Sequence, residues 1–176
     1  PGALESAPLL EQLSRQPAWR GGHPEPGAMV GWLTDQRVAT LERYGIQAEL
    51  AARFPDAVAR QAEVRRLARQ WAEGFDAGSL VVLAQAAERF DLRGQLQALR
   101  APLLMVLSRT DTTFPPTLAQ EFAPLLDDAG VPWSYLELDS DKGHLASGAD
   151  ACLWAEVLRE FMATPPDQWR SWGLSR

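Results

Sequence analysis

Apolar residues recur every three or four positions from the start of the chain to about residue 90, which is the spacing of one helix face. This pattern predicts helices over residues 4–15, 28–52, 56–73 and 78–89. Gly45 lies inside the second of these helices and is expected to end or bend it. Residues 17–27, PAWRGGHPEPG, are so rich in glycine and proline that they predict a loop.

From residue 102 onward the apolar residues occur in short continuous runs. LLMVLS at 103–108 and WSYLEL at 133–138 predict two strands, the first of them buried on both faces. Helices are predicted at 117–129 and 149–162. The inward positions of the last helix are predicted to be Leu153, Val157, Leu158, Phe161 and Met162. The strand–helix–strand–helix order favours parallel pairing of the strands through a right-handed crossover.

These two patterns divide the chain into a helical part up to about residue 100 and an α/β part over residues 102–163. Two parallel strands do not make a stable sheet by themselves, because a parallel sheet is normally covered on both faces. We therefore expect further strands before residue 1. Since the sequence starts with Pro1 rather than Met, we interpret it as a fragment or a processed product.

Two polar residues follow the two predicted strands. Asp111 comes three positions after Ser108, the last residue of the first strand, and His144 lies in the loop after the second. The carboxyl ends of neighbouring parallel strands meet at one sheet edge, so an acid and a histidine placed there can form two thirds of a catalytic triad. A simpler interpretation stays open, in which Asp111 caps the next helix and His144 is an ordinary loop residue.

A triad also needs a nucleophile, which in such sheets is a serine on a sharp G-x-S-x-G turn that precedes the acid and the histidine. No such pentapeptide occurs in the 176 residues. Ser147 with Gly148 comes closest, but it follows the histidine and lacks the first glycine. Cys152 is predicted to be a buried residue in the middle of a helix. Neither is assigned as the nucleophile.

Composition excludes several classes of partner. The net charge of −6 argues against nucleic acid and against an anionic membrane surface. No apolar run approaches the roughly 18 residues that a transmembrane helix needs. The single cysteine cannot form an internal disulfide, which favours a reducing, cytoplasmic location. His23 has no second histidine or cysteine near it in sequence, so no metal site is expected.

Four segments, taken in order, resemble the homoserine O-acetyltransferase family of α/β-hydrolase-fold enzymes. They are QPAWRGG (16–22), GFDAGSLVVLAQAAERFDL (74–92), SRTDTTFPP (108–116) and LDSDKGH (138–144). The resemblance covers nearly the whole chain but only the carboxyl-terminal half of the family. It implies a partial α/β-hydrolase fold, made of the last parallel strands and helices of the sheet together with a helical lid. Residues 1–27 would be a connecting helix and loop, 28–100 the lid region and 101–176 the carboxyl-terminal part of the core.

The resemblance also implies roles for individual residues. It makes Asp111 the catalytic acid and His144 the catalytic base, and it aligns Tyr44 with a tyrosine that helps to shape the acceptor pocket. It implies an enzyme that transfers an acyl group from a co-substrate, acetyl-CoA or another acyl-CoA, to a hydroxyl of a small molecule, with no bound cofactor. The serine would lie outside this chain. Two copies are expected to pair through the lid.

Two departures from the family keep other functions open. Leu145 stands where the family has an aspartate, and Gly45 where it has an arginine. The loss of these acceptor contacts favours an esterase or other hydrolase on the same scaffold. A third interpretation is an inactive fragment, or one chain of a processed enzyme that needs its other half.

Overall fold

The computed structural model describes residues 5–165 and residue 168. The chain consists of two compact units. One contains the described residues up to Arg43 together with Leu50–Phe90, and the other contains Tyr44–Glu49 together with the described residues from Asp91 onward. The proposed division into connector, lid and core is a functional one and stays a prediction.

The first unit is helical. Its helices are α1 (Ser6–Ser14), α2 (Val30–Arg43), α4 (Ala57–Glu73) and α5 (Ala77–Arg89), and the short α3 (Ile46–Leu50) lies at the boundary between the units. Between residues 28 and 90, all of which the structure describes, the chain forms helices and turns but no strand, as predicted. Gly45, with φ at 92°, separates α2 from α3, so the predicted interruption is confirmed.

The helix starts follow from local chemistry. Asp56 precedes α4, and its carboxylate accepts a hydrogen bond from the backbone N–H of Ala59 at 2.8 Å. Asp76 precedes α5 and accepts in the same way from the N–H of Ser79 at 2.7 Å. An aspartate at this position satisfies a backbone donor that the helix itself leaves without a partner. Both boundaries therefore lie within one residue of the predicted ones.

The prediction of a loop over residues 17–27 is wrong for its first part. Pro17–Gly22 form a 3₁₀ helix, in which Arg20 and Gly21 have positive φ values of 47° and 65°. Pro17 has its φ fixed at a helical value, and Trp19 is buried, so the turn is held against a core despite its glycines. That core consists of Leu9, Leu13, Trp19, Met29, Leu33, Ala72, Ala77, Val81 and Ala84.

The second unit contains two strands, β1 (Leu103–Ser108) and β2 (Trp133–Leu138), with the limits that the apolar runs predict. They pair in parallel, Leu103 opposite Trp133 and Ser108 opposite Leu138, and α6 (Thr117–Asp128) connects them. Because the register is unshifted, the two strands end side by side. The loops that follow them therefore start at the same edge of the sheet.

Burial in this unit differs from the prediction in two places. Residues 103–107 of β1 are half-buried rather than buried on both faces, since β2 is the one strand that pairs with β1 in the described part of the chain. The last helix, α8, spans Ala155–Ala163 instead of starting near residue 149. Leu153 lies before this helix and is 47% exposed, and Met162 is 73% exposed. The prediction that both point inward is therefore wrong.

Short helical segments occupy the region between β2 and α8. They are the 3₁₀ turn Gly143–Leu145, α7 (Ala146–Ala149) and the 3₁₀ turn Ala151–Leu153. Asp150, with φ −116° and ψ 38°, interrupts the helical path between the last two. As a result Cys152 is exposed in a turn, and the prediction that it is buried in a helix is wrong.

Candidate active site

Asp111 is fixed by the loop that follows β1. Its own N–H donates to the carbonyl of Ser108 at 3.0 Å, which forms a tight turn directly after the strand. Its Oδ1 accepts from the backbone N–H groups of Thr113 at 2.7 Å and Phe114 at 2.9 Å, and the residue is buried, with 8% exposed. The helix α6 starts later, at Thr117, and has no side-chain cap. The interpretation of Asp111 as a helix cap is therefore wrong.

His144 lies on the facing loop, six residues after the end of β2, and its imidazole contacts Asp111 directly. Its Nδ1 is 2.8 Å from Oδ2 of Asp111, the carboxylate oxygen that the loop amides leave available. An ionised carboxylate only accepts, so a neutral imidazole that bonds to it through Nδ1 carries its proton there and has Nε2 as an acceptor. In the described part of the chain no side chain hydrogen-bonds to Nε2. The predicted proximity of the two residues is confirmed, while their catalytic roles stay predictions.

Two aromatic rings enclose the imidazole. The ring of Tyr44 lies 4.3 Å from it, centroid to centroid, and the ring of Phe114 lies 5.3 Å from it, both tilted by about 45°. The resemblance predicts that Tyr44 binds substrate, and the structure places it against the candidate base itself. Phe114, which sequence reasoning missed, follows Asp111 by three residues, so the acid loop also supplies one wall around the imidazole.

The segment that carries Tyr44 is also held by an ion pair. Nζ of Lys142 lies 3.0 Å from Glu49 and 3.5 Å from Asp150. The contact with Glu49 is the main cause that raises the pKa of Lys142, because it favours the charged ammonium. Lys142 precedes His144 by two residues, so this ion pair ties the histidine loop to the segment Tyr44–Glu49 within the same unit.

A cavity of about 260 Å³ opens beside the pair. Asp111, His144, Ser147, Phe114 and Trp154 line it, together with residues from the ends of the two strands. Its wall is mostly apolar, and among the described residues no cationic side chain lines it. A neutral, largely apolar group beside His144 fits this surface.

Ser147 and Cys152, neither of which the sequence assigns as the nucleophile, lie in different surroundings. Ser147 lies in the cavity wall, on α7 and three residues after His144, whereas Cys152 is exposed and does not line the cavity. In the described residues no group of three or more histidine, cysteine, aspartate or glutamate side chains could hold a metal ion. No helix among them is long and apolar enough to cross a membrane.

Several curated proteins are similar to this chain in sequence. The chain is 31% identical to a serine O-succinyltransferase of Litchfieldella anticariensis over 87% of its own length and 48% of the relative. It is 28% identical to a homoserine O-acetyltransferase of Trichormus variabilis, over 86% of this chain and 46% of that one. No family model matches the sequence. The chain thus spans about half the length of the curated relatives that it matches.

Solved structures agree on the fold. Esterase E22 superposes with a TM-score of 0.72 over 91% of this chain and 50% of its own, at 17% identity. Homoserine O-acetyltransferase from Bacillus anthracis gives 0.71 over 90% and 48%, at 19% identity. The fold is therefore part of an α/β-hydrolase fold, as predicted. By sequence the chain is a relative of the homoserine O-acetyltransferase-like proteins, of which it spans about half, and its fold is a partial α/β-hydrolase fold.

Proposed function

We propose that this chain supplies the acid and the base of a Ser-His-Asp triad in an O-acyltransferase. The observation that carries the proposal is the hydrogen bond of 2.8 Å between His144 Nδ1 and Asp111 Oδ2, beside a cavity at the ends of two parallel strands. The serine and the oxyanion donors would come from a part of the protein outside these residues. In such a triad the acid orients the imidazole and stabilises the imidazolium, without itself taking the proton.

The reaction would run in two balanced steps. The serine hydroxyl attacks the thioester carbonyl of an acyl-CoA, and Nε2 of His144 takes the hydroxyl proton and then gives it to the departing thiolate. The products are an acyl-serine and free CoA. A hydroxyl of the acceptor then attacks the ester while Nε2 takes its proton, and the serine leaves and regains that proton. No bound cofactor is needed, since acetyl-CoA or another acyl-CoA is consumed as a co-substrate.

The relatives suggest which substrates to test first. Their names give acetyl or succinyl as the group transferred and homoserine or serine as the acceptor. The apolar wall beside His144 supports transfer of a small neutral acyl group more than a charged one. Since none of the described residues that line this cavity is cationic, a succinyl carboxylate would need a partner other than these residues. Acetyl transfer is therefore the first choice.

One observation favours hydrolysis as a second candidate. A Cβ built on Gly45 would lie only 3.1 Å from the carbonyl oxygen of Lys142, and Gly45 has positive φ. An arginine at this position would crowd that carbonyl and strain the backbone, and the glycine that stands here supplies no side chain for such an acceptor contact. Acyl transfer and hydrolysis share the acyl-enzyme and differ in whether water reaches it. An esterase would accept water where the transferase binds an alcohol.

The test uses the full-length polypeptide in which this sequence occurs. It is incubated with acetyl-CoA or succinyl-CoA and with L-serine, L-homoserine or no acceptor, and both CoA release and the O-acyl product are measured. We expect acceptor-dependent CoA release that His144→Ala abolishes and His23→Ala does not change. CoA release that is equal without an acceptor would support the hydrolase instead. No His144-dependent turnover under any condition would contradict both and favour an inactive protein.

Three further expectations belong to this proposal. Residues 1–176 without the rest of the protein would not turn over p-nitrophenyl acetate above their His144→Ala variant, because the proposed nucleophile lies outside them. The enzyme would act in the cytoplasm on small molecules rather than on nucleic acid or membranes. Two copies would pair through the helical part, which size-exclusion chromatography of the full-length polypeptide tests.

A further inference from the structure

Two hydrogen bonds join the loop that carries Asp111 to the loop that carries His144, and they involve two consecutive residues of each loop. Thr110 bonds to Gly143, and Asp111 bonds to His144, so the same spacing of 33 positions occurs twice. The second contact is the candidate catalytic pair. The first has no place in the reaction written above, yet it lies one residue away from both partners of that pair.

The Thr110 hydroxyl makes two hydrogen bonds with the histidine loop. It donates to the carbonyl oxygen of Ser140 at 2.8 Å, and it accepts from the backbone N–H of Gly143 at 3.0 Å. These groups lie at the two ends of the four-residue stretch that precedes His144. A single hydroxyl, used once as donor and once as acceptor, therefore closes this stretch into a fixed turn.

The turn that Thr110 closes is supported from its other side by a second hydroxyl. Ser140 is buried, and its hydroxyl donates to Oδ2 of Asp150 at 2.5 Å and accepts from the N–H of Lys142 at 3.1 Å. Each polar group in this chain of bonds is satisfied by the next, from Asp150 through Ser140 to Thr110 and Gly143. Such a connected network favours one conformation, because leaving any member without its partner costs free energy.

We propose that Thr110 is a positioning residue, which sets the distance and angle between His144 and Asp111 by bonding the histidine loop at Ser140 and Gly143. Its catalytic consequence rests on the proposed function, but its structural consequence does not. Gly143 has a positive φ of 56°, and a glycine is free to leave this conformation because it has no Cβ to restrict its backbone. Removing the bond to its N–H frees the residue next to the imidazole, and a displacement of about 1 Å can cost about 100-fold in rate.

The direct readout is the far-downfield proton resonance of an imidazole N–H that is hydrogen-bonded to a carboxylate. It is recorded by NMR on the full-length polypeptide labelled with ¹⁵N-histidine and assigned by its loss in His144→Gln. We expect Thr110→Val, which keeps the shape and removes the hydroxyl, to broaden or abolish this resonance. Thr110→Ser keeps the hydroxyl and should restore it. Thr112→Val, an equal change at a second exposed threonine of the same loop, should leave it intact.

Kinetics provide the second readout. With acyl transfer established, Thr110→Val should lower kcat by about 100-fold while KM for the acyl donor changes little, since Thr110 does not line the cavity. Thr110→Ser should recover most of that loss. A merely structural role would instead lower the melting temperature without selective loss of the resonance.

The outcomes separate the two proposals. Loss of the resonance in Thr110→Val and its return in Thr110→Ser support the positioning role, even in a protein without acyltransferase activity. Full retention of the resonance and of kcat in Thr110→Val overturns it, whatever the reaction turns out to be. Should Thr110→Val unfold, the comparison of Thr110→Ser with the less bulky Thr110→Ala decides, and equal resonances in those two would also overturn the proposal.

Discussion

Gly143 lies against the carbonyl of Tyr44 so closely that a Cβ built on it would be 3.2 Å from that oxygen. The reverse contact is equally tight, because a Cβ on Gly45 would be 3.1 Å from the carbonyl oxygen of Lys142. Two glycines thus allow the backbone at Tyr44 to pass beside the backbone at His144. This close approach is what brings the ring of Tyr44 onto the imidazole.

Replacing Gly143 by alanine should therefore destabilise the protein for two reasons. The positive φ costs about 1–2 kcal/mol for a residue with a Cβ, and the contact with Tyr44 adds to that cost. We expect the free energy of unfolding, measured with denaturant, to fall by about 2 kcal/mol or more. Activity should fall as well, since His144 would move with its neighbour.

Two other glycines are matched controls for this change. Gly130 has a positive φ of 67°, but a Cβ added to it would meet nothing within 4 Å, so Gly130→Ala should show the cost of backbone strain alone, about 1 kcal/mol. Gly148 lies in α7 with neither feature, and Gly148→Ala should be neutral or slightly stabilising. Equal losses for Gly143→Ala and Gly130→Ala would show that the contact with Tyr44 contributes nothing.

Asp111→Asn should leave the acid loop in place but change the imidazole. The remaining carbonyl oxygen can still accept from the amides of Thr113 and Phe114, which turns the new NH₂ group toward Nδ1 of His144. The histidine would then carry its proton on Nε2, and that form cannot act as the base. By analogy with other triads we expect kcat to fall by about 10⁴-fold with the melting temperature little changed. A loss of less than tenfold would contradict a triad role for Asp111.

Thr113→Val should be neutral or stabilising. The Thr113 hydroxyl is buried and has no hydrogen-bond partner in the described part of the chain, and such a group costs about 1–3 kcal/mol of desolvation. Valine has the same shape and removes that cost, so we expect a rise in the free energy of unfolding of up to about 1 kcal/mol. Thr113→Ser, which keeps the hydroxyl and loses the methyl group, is the control and should not stabilise. A destabilised valine variant would indicate that a water molecule satisfies the hydroxyl.

The phenol of Tyr135 should lose its proton at a higher pH than an ordinary tyrosine does. Burial, followed by the hydrogen bond of its hydroxyl to Glu137 at 2.9 Å, raises the pKa of Tyr135 to about 12. An unfolded tyrosine titrates near 10, so between about pH 10 and 12 the folded protein holds a proton that the unfolded chain has lost. This contribution to stability is complete below pH 10 and is lost as the pH rises through 12.

The measurement is the ultraviolet absorbance of tyrosinate as a function of pH, taken as the difference between the wild type and Tyr135→Phe. Glu137→Gln should bring the transition to lower pH, because a neutral amide no longer disfavours the phenolate. A transition of Tyr135 near pH 10 in the folded wild type would contradict the prediction.

The strands of the α/β part and the polar residues at their ends can be predicted from the sequence alone. Both strands match the apolar runs residue for residue, because short runs between prolines and polar residues have few other ways to fold. Asp111 and His144 can be identified for a topological reason: parallel strands joined by a helix end at one edge. The helix starts at Asp56 and Asp76 likewise depend only on neighbouring residues.

Other features depend on residues that are far apart in sequence. Nothing local distinguishes Thr110 from Thr112, and the difference appears only when the register of the two strands brings Ser140 and Gly143 within reach. The predicted burial of Leu153 and Met162 is wrong because the break at Asp150 changes where the last helix starts and which face it buries.

The sequence by itself therefore determined the strands, most helices and the two polar residues at the sheet edge, since these follow from local pattern and strand order. The tertiary structure alone decided that Asp111 divides its two oxygens between its own loop and His144. It also decided that Tyr44, which directly follows α2, belongs to the second unit and packs against the imidazole. The hydrogen bonds and backbone contacts between these loops join positions 30 or more residues apart, and they exist only once the strand register and the positive φ values at Gly45 and Gly143 are set.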